Sequence, residues 1–240
     1  MDATTRADRH DGLTLRQAAL VAGFGYLLSP VTFAEFQLYP KVVIPGNIVQ
    51  TFTNINAHPQ TFATIILCYL ITFLEDIVLA WALFYLLAPV NRALSWLTAW
   101  FRLIYAAIVL VGLTNLIAAY HLATTSGYAA SFGLVPVRAQ VDLALHMFRY
   151  DWSFGLIVFG IHLVLLGYLI FRSHYVPWII GILLVVDGAG WITDSLQPYF
   201  YPSANLGFLF VTFFGELIFM LWLLIAGWRL REAAPVVHAT

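Results

Sequence analysis

The amino-acid sequence predicts an all-α, multi-pass membrane protein: a bundle of six transmembrane helices. Hydrophobic residues make up 62% of its 240 residues and charged residues only 10%, whereas about a quarter of residues are charged in soluble proteins. The apolar residues form continuous runs that include Gly and Pro, which transmembrane helices tolerate. A β-barrel would instead require short segments of alternating polarity. We therefore expect residues 1–240 to form one integral membrane domain.

A helix needs about 20 apolar residues to cross the hydrocarbon core of a bilayer. Six windows meet this requirement: residues 15–36, 61–88, 96–120, 152–171, 177–196 and 206–228. The first window follows several arginines but has no small-x-small cleavage site before its end, so we expect a retained helix and not a signal peptide. Short connections join the second helix to the third and the fourth to the fifth, which predicts that each pair packs antiparallel.

The connection before the fourth helix contains a further helical pattern. Apolar residues recur at helical spacing at Val137, Val141, Ala144, Leu145 and Phe148. This stretch is either an amphipathic helix at the membrane interface or an outward extension of the fourth helix. We favour the extension.

The distribution of basic residues predicts the orientation of the bundle. Seven bases lie on the side of both termini, namely Arg6, Arg9, Arg16, Arg92, Arg172, Arg229 and Arg231. Only Lys41, Arg138 and Arg149 lie on the opposite side. Because cytoplasmic loops are enriched in Lys and Arg, both termini are predicted to be cytoplasmic.

Five ionisable residues lie near the centres of the predicted helices: Glu75, Asp76, His162, Asp187 and Glu216. A charge in hydrocarbon is unfavourable, so such residues mark functional sites by default. At 1.5 Å per residue, Asp76, His162, Asp187 and Glu216 reach about the same depth on four helices. Of the adjacent Glu75 and Asp76, we assign Asp76 to the interior. The pattern predicts a polar cleft between the helices that opens outward.

The predicted site divides into catalytic and substrate-binding residues. We assign the midplane residues Asp187, Glu216, His162 and Asp76 to catalysis. Arg102 lies within the third helix, where its long side chain reaches either the midplane acids or the lipid head groups. Substrate binding is assigned to Arg102, Asp194, Glu35, Trp191 and Thr212. The structural alternative is that polar residues such as these only hold the helices together by hydrogen bonds.

Three classes of function remain open at this point. An enzyme would use Asp187 and Glu216 as an acid–base pair, with His162 relaying a proton to a lipophilic or isoprenoid-like substrate. A proton-coupled carrier of a small solute would use the same acids as a relay. A sensor or assembly protein would use them only for packing. The enzyme is our leading hypothesis.

Metal binding is a variant of the enzyme hypothesis, because His162 and the carboxylates are ligand types that suit zinc, iron or manganese. The sequence contains no HxxxH, HExxH or CxxC spacing, so we assign no metal and no cofactor. It also lacks GxSxG, GxGxxG and Walker A motifs and has no basic surface segment, which argues against nucleotide and nucleic-acid partners. The expected partners are membrane lipids and a lipophilic small molecule.

Several segments resemble a family of bacterial membrane proteins catalogued as domain of unknown function 4386. They read FAEF at 33–36, FRLI at 101–104, FGIHLVLLGYLIFRSHYVPWIIGILLVVDGAGWITDSL at 159–196 and GELIFMLWLLIAG at 215–227. The resemblance implies a multi-pass protein of the bacterial cytoplasmic membrane, with marked polar positions at Arg102, His162, Ser173, Asp194 and Glu216. The sequence departs from the family pattern at Asp187, where an apolar or small residue is expected, and at Trp191, where tyrosine is expected. No particular reaction is implied.

Overall fold

The structure of this protein is a computed structural model that describes residues 12–231. Within that range the chain is helical, with no strand. Six helices are long and apolar enough to cross a membrane, which confirms the predicted fold class. We call them spans 1 to 6: Leu15–Val42, Pro59–Leu87, Arg92–Thr124, Leu134–Arg172, Trp178–Phe200 and Gly207–Ile225. The bases Arg6 and Arg9, which contribute to the predicted orientation, lie outside the described residues.

The spans form a ring in chain order, in which each packs against the next and span 6 packs back against span 1. The predicted antiparallel contacts of spans 2 and 3 and of spans 4 and 5 are confirmed. Residues 88–91 and 173–177 make these two connections, and we call their side of the bundle the tight-turn end. The opposite side is the long-connection end. Its connections contain the short helices Ile48–Ala57 and Ser126–Phe132.

Span 4 is much longer than the predicted window of residues 152–171. Its helix begins at Leu134, after Gly133 with φ of 82°, and continues to Arg172. A positive φ of this kind is readily adopted only by glycine. Val137, Val141 and Phe148 are buried against the rest of the bundle. The apolar pattern in this region is therefore an extension of the fourth helix, as predicted.

Span 1 is interrupted where the sequence predicts one continuous helix over residues 15–36. The helix Leu15–Leu28 ends before Ser29, which is extended with φ of −61° and ψ of 118°. Pro30 follows and explains the break, because proline lacks a backbone N–H and disfavours helical geometry in the preceding residue. The chain then resumes as Val31–Phe33, a π-helical turn over Ala34–Leu38 and a final helix over Tyr39–Val42.

Span 6 is also discontinuous, although the sequence predicts a single segment over residues 206–228. A 3₁₀ segment over Gly207–Phe213 precedes the α-helix Phe214–Ile225, and a short 3₁₀ turn follows over Gly227–Arg229. Short 3₁₀ and π-helical pieces commonly occur at functional sites. Spans 1 and 6 are neighbours, so both irregular segments belong to the same side of the bundle.

Spans 4 and 5 approach each other so closely that their backbones touch. A Cβ atom on Gly160 would lie 2.6 Å from the carbonyl oxygen of Gly188. A Cβ atom on Gly181 would lie 2.6 Å from the carbonyl oxygen of Gly167. Small residues permit this approach. Close packing of this kind drives the association of helices in lipid, where the hydrophobic effect does not act between them. We call these four residues the glycine seam.

Candidate functional site

The ring of spans surrounds a cavity of about 810 Å³, which is lined by residues from all six spans. Sites for small molecules commonly have volumes of this order. Most of the wall is apolar, and the ionisable side chains that line it are Glu35, Glu75, Asp76, Arg102, Arg149, Asp194 and Glu216. Acidic residues from separate spans therefore meet around one interior space.

We call Arg102, the side chains that contact its guanidinium, and Glu216 the floor of this cavity. Its Nε and Nη2 atoms donate to Oδ1 of Asp76 at 2.9 and 2.6 Å, respectively. Nη1 donates to the Tyr26 hydroxyl at 2.8 Å and lies 3.2 Å from Nε2 of His162. Only 2% of Arg102 is exposed. Its guanidinium is therefore held inside the bundle by three side chains from spans 1, 2 and 4.

His162 lies behind Arg102 and does not line the cavity. Its Nδ1 atom is 2.9 Å from the carbonyl oxygen of Thr98, which only accepts hydrogen bonds. We therefore assign the proton to Nδ1, and Nε2 accepts from Arg102. Both ring nitrogens are engaged, so His162 orients Arg102 in this arrangement and presents no nitrogen to the cavity.

Glu216 has a different environment from Asp76. It lies in the first turn of the helix Phe214–Ile225, lines the cavity and is 9% exposed. Among the described residues, no side-chain or backbone group makes a hydrogen bond to its carboxylate, although Asp187, Arg102 and Asp76 are close enough for electrostatic interaction. A buried polar group without a hydrogen-bond partner requires an explanation such as a role in catalysis or ligand binding.

Glu75 also lines the cavity, although the sequence analysis assigned only Asp76 to the interior. Its carboxylate lies near the Ser29 hydroxyl and would be 3.7 Å from a Cβ atom on Gly25. The two adjacent acids therefore divide the space. Asp76 binds Arg102, and Glu75 points toward span 1.

Asp187 is fully buried between spans 5 and 6 and does not line the cavity. A Cβ atom on Gly215 would lie 3.3 Å from that of Asp187. Its carboxyl oxygens lie near Thr212 and the backbone amide of Glu216, but neither makes a hydrogen bond of good geometry within the described chain. The predicted acid pair thus consists of neighbours, of which only Glu216 reaches the cavity.

A second ion pair lies toward the long-connection end of the cavity. Nη1 of Arg149 donates to Oε1 of Glu35 at 2.6 Å, and the Tyr69 hydroxyl donates to the other carboxylate oxygen. The guanidinium also stacks over the Tyr39 ring at 4.2 Å. Glu35 belongs to the π-helical turn of span 1. We call Glu35, Tyr69 and Arg149 the rim cluster.

Span 5 contributes three polar residues to the wall: Trp191, Asp194 and Ser195. The Trp191 Nε1 and Ser195 Oγ atoms are buried, with no hydrogen-bond partner in residues 12–231. Thr212, which was expected at the same site, instead lines a smaller cavity of about 240 Å³ that also borders Trp191 and Asp194. Its hydroxyl donates to the carbonyl oxygen of Leu209 at 2.7 Å.

The cavity lining includes Tyr26, Arg149 and Ser195, which were not predicted from the sequence. Tyr26 lies one helical turn before Pro30, so a polar side chain next to a predicted break was the available signal. Arg149 was treated as a flanking base, although extending the fourth helix through it places it within the membrane-spanning segment. Ser195 carried no signal, because single serines in such helices commonly serve packing.

The metal variant of the enzyme hypothesis finds no ligand cluster in the described structure. Over residues 12–231, no three His, Cys, Asp or Glu side chains lie close enough together to hold a metal ion. Around Arg102, the guanidinium lies between Asp76 and His162 and contacts both.

Comparisons with other proteins agree with the motifs described above. The model of a family described as "Domain of unknown function (DUF4386)" matches residues 21–227. A relative described as an uncharacterized protein from Archaeoglobus fulgidus is 35% identical over 172 residues, which cover 72% of this chain and 88% of the relative. No solved structure matches the chain.

Proposed function

We propose a function for this chain, which belongs to the DUF4386 family as its motifs indicated, from the chemistry of its own cavity. The function that we propose is acid–base catalysis on an amphiphilic or isoprenoid-like substrate. One observation carries the proposal. The buried Glu216 carboxylate lines a largely apolar cavity without a hydrogen-bond partner among the described residues.

The substrate would enter from the lipid. Leu27 and Phe33 line the cavity and are also 51% and 53% exposed, so this wall borders the acyl chains of the bilayer. An apolar tail can remain among such side chains while a polar end reaches the floor. We propose that residues 1–240 form a single integral membrane domain, which fits delivery of the substrate from the bilayer.

Each residue at the floor would have a distinct role. Glu216 would exchange a proton with the substrate, because it has no competing hydrogen bond. Arg102 would provide a fixed positive charge close to the Glu216 carboxylate while that group exchanges its proton. Asp76, Tyr26 and His162 would act as positioning residues for Arg102, since each contacts its guanidinium.

The proposal is tested by comparing lipids before and after incubation with the protein. Purified protein in nanodiscs is incubated with a total lipid extract that contains isoprenoid lipids, and the mixture is analysed by mass spectrometry. We expect the wild type to convert at least one lipophilic component and Glu216→Gln to convert none. Asp142→Asn, which removes an exposed carboxylate far along span 4, is the control and should match the wild type. Identical profiles for wild type and Glu216→Gln would contradict the proposal.

A proton-coupled carrier is the second candidate, and the discontinuity of spans 1 and 6 favours it. Secondary transporters commonly form their substrate sites at interrupted helices near the bilayer midplane. In proteoliposomes that contain a pH-sensitive dye, a carrier would couple solute uptake to proton movement, and Glu216→Gln would abolish the coupling. Uptake without chemical conversion of the solute would favour this candidate over the enzyme.

The protein is a multi-pass membrane protein, and we propose that both termini face the cytoplasm of a bacterium. Arg92 and Arg172 lie at the tight-turn end, where the positive-inside rule would put the cytoplasm. The relative from Archaeoglobus fulgidus leaves the source open. Reporter enzymes that are active only in one compartment, fused to the C-terminus, would test the orientation. Reporter activity on the outer side of the membrane would contradict the proposed orientation.

A further inference from the structure

We propose that the cavity selects positively charged lipophilic molecules and binds their cationic group beside Glu216. This inference rests on the proposed function, since Glu216 is the carboxyl that would act on the substrate. It adds the sign of the charge that the substrate carries.

Acidic side chains outnumber basic ones around the cavity. The acids are Glu35, Glu75, Asp76, Asp194 and Glu216, and the bases are Arg102 and Arg149. Arg102 is paired with Asp76 at 2.6 Å, and Arg149 is paired with Glu35 at 2.6 Å. No lining base remains to pair with Glu75, Asp194 or Glu216 in the described chain. These three acids therefore have no cationic partner among the described residues that line the cavity.

Neither arginine is free to recruit an anionic ligand in the way that unpaired arginines do. The Nε, Nη1 and Nη2 atoms of Arg102 already contact Asp76, Tyr26 and His162. Arg149 is bound to Glu35 and covered by the Tyr39 ring. An anion would have to displace these contacts and would also approach the unpaired Glu216. The charges thus disfavour an anionic ligand at the floor.

Two further side chains point to a bound molecule. Ser195 is 3% exposed and lines the cavity, yet its hydroxyl makes no hydrogen bond within the described residues. Trp191 lies one turn earlier on span 5 and also lines the cavity. The face of a tryptophan ring attracts cations. A ligand with an ammonium or similar cation would satisfy Glu216 and contact Trp191 together.

Two lipophilic ions of nearly equal size and opposite charge test this inference: tetraphenylphosphonium and tetraphenylborate. Each is titrated into the full-length protein in nanodiscs while tryptophan fluorescence is recorded, and titration of empty nanodiscs is subtracted. We expect saturable binding of the phosphonium ion and no saturable binding of the borate. Glu216→Gln should weaken phosphonium binding at least about tenfold, because a buried charge pair is lost.

Two matched variants separate the charge of Glu216 from general effects on folding. Glu216→Asp keeps the carboxylate, so its dissociation constant for the phosphonium ion should stay within about threefold of the wild-type value. Asp142→Asn removes a carboxylate outside the cavity and should bind as the wild type does. Monodisperse elution of each variant from a sizing column shows that it is folded.

The outcomes distinguish this inference from the proposed function. Equal or tighter binding of tetraphenylborate, no binding of either ion, or unchanged phosphonium binding by Glu216→Gln would each overturn cation selection. Tetraphenylphosphonium has no exchangeable proton, so its binding does not depend on turnover. Phosphonium binding without any Glu216-dependent conversion of lipids would support the inference while contradicting the proposed enzyme.

Discussion

Spans 4 and 5 differ sharply from spans 1 and 6 in how they use the interior of the bundle. Along the glycine seam, two continuous helices bring their backbones into contact and leave no space between them. Spans 1 and 6 pack closely over their regular helices, where a Cβ atom on Gly23 would lie 3.1 Å from that of Leu223. Beyond that contact both helices are interrupted, and their side chains line the cavity. Continuous helices with small residues close the bundle, and interrupted helices open it.

The polar groups show a second difference, between spans 3 and 4 on one side and spans 5 and 6 on the other. Toward spans 3 and 4, Arg102 and His162 have all their principal hydrogen bonds satisfied by neighbouring residues. Toward spans 5 and 6, Glu216 and Ser195 lack such partners within the described structure. The first group stabilises the fold, and the second is available for a ligand. Four substitutions test whether the first group stabilises the fold and the second does not, from the largest expected effect on stability to the smallest.

Breaking the Arg102–Asp76 pair should have the largest effect. Arg102→Met leaves Asp76 as an unpaired buried charge, which typically costs about 3–5 kcal/mol. We expect a corresponding fall in the free energy of unfolding, measured by chemical denaturation in detergent. The double variant with Asp76→Asn should recover part of the loss. A double variant as unstable as the sum of the two single variants would contradict the pairing.

A methyl group in the glycine seam should have the next largest effect. Gly160→Ala forces the backbones of spans 4 and 5 apart, and overpacking of this kind costs about 1–3 kcal/mol. Gly127→Ala is the control, because a Cβ atom there meets nothing within 4 Å. The thermal unfolding midpoint should fall for Gly160→Ala only. Equal midpoints would show that the seam is not tightly packed.

The rim cluster should contribute less to stability than the floor. Glu35→Gln weakens its contact with Arg149, but both side chains are partly exposed, and pairs at such positions contribute about 0–1 kcal/mol. We therefore expect a change below about 1 kcal/mol in the same denaturation assay. A loss as large as that of Arg102→Met would mean that the rim cluster stabilises the bundle as strongly as the floor does.

Neutralising Glu216 should have the smallest effect on stability. Glu216→Gln removes a charge that has no hydrogen-bond partner in the described chain, so no native hydrogen bond is lost. The unfolding midpoint should stay the same or rise. A marked decrease would show that Glu216 serves the fold, as a purely structural account of the midplane acids would require.

The fold was largely predictable from the sequence, because the length and apolarity of the segments determine what can cross a membrane. The helix breaks at Ser29–Pro30 and before Phe214 were not predicted, although Pro30 was visible. Proline within a transmembrane helix is often tolerated, so its presence alone does not distinguish a kink from an interruption.

The depth of the ionisable residues was easier to predict than the direction of their side chains. The helical rise alone brought Asp76, His162 and Glu216 toward one level, and the contacts around Arg102 agree. Which of them reaches the cavity depends on helix rotation and on the partner that each finds. His162 turns toward Thr98, and Asp187 packs at Gly215, so neither lines the space that the pattern suggested.

Labelling with dicyclohexylcarbodiimide, an apolar reagent that modifies carboxyl groups, tests most directly whether Glu216 faces an interior that is open to lipid. The protein in nanodiscs is treated at mildly acidic pH, and the modified residues are mapped by mass spectrometry. We predict modification of Glu216, with Asp187 protected because it is fully buried outside the cavity. Modification of Asp187 at the rate of Glu216, or complete protection of Glu216, would contradict this account.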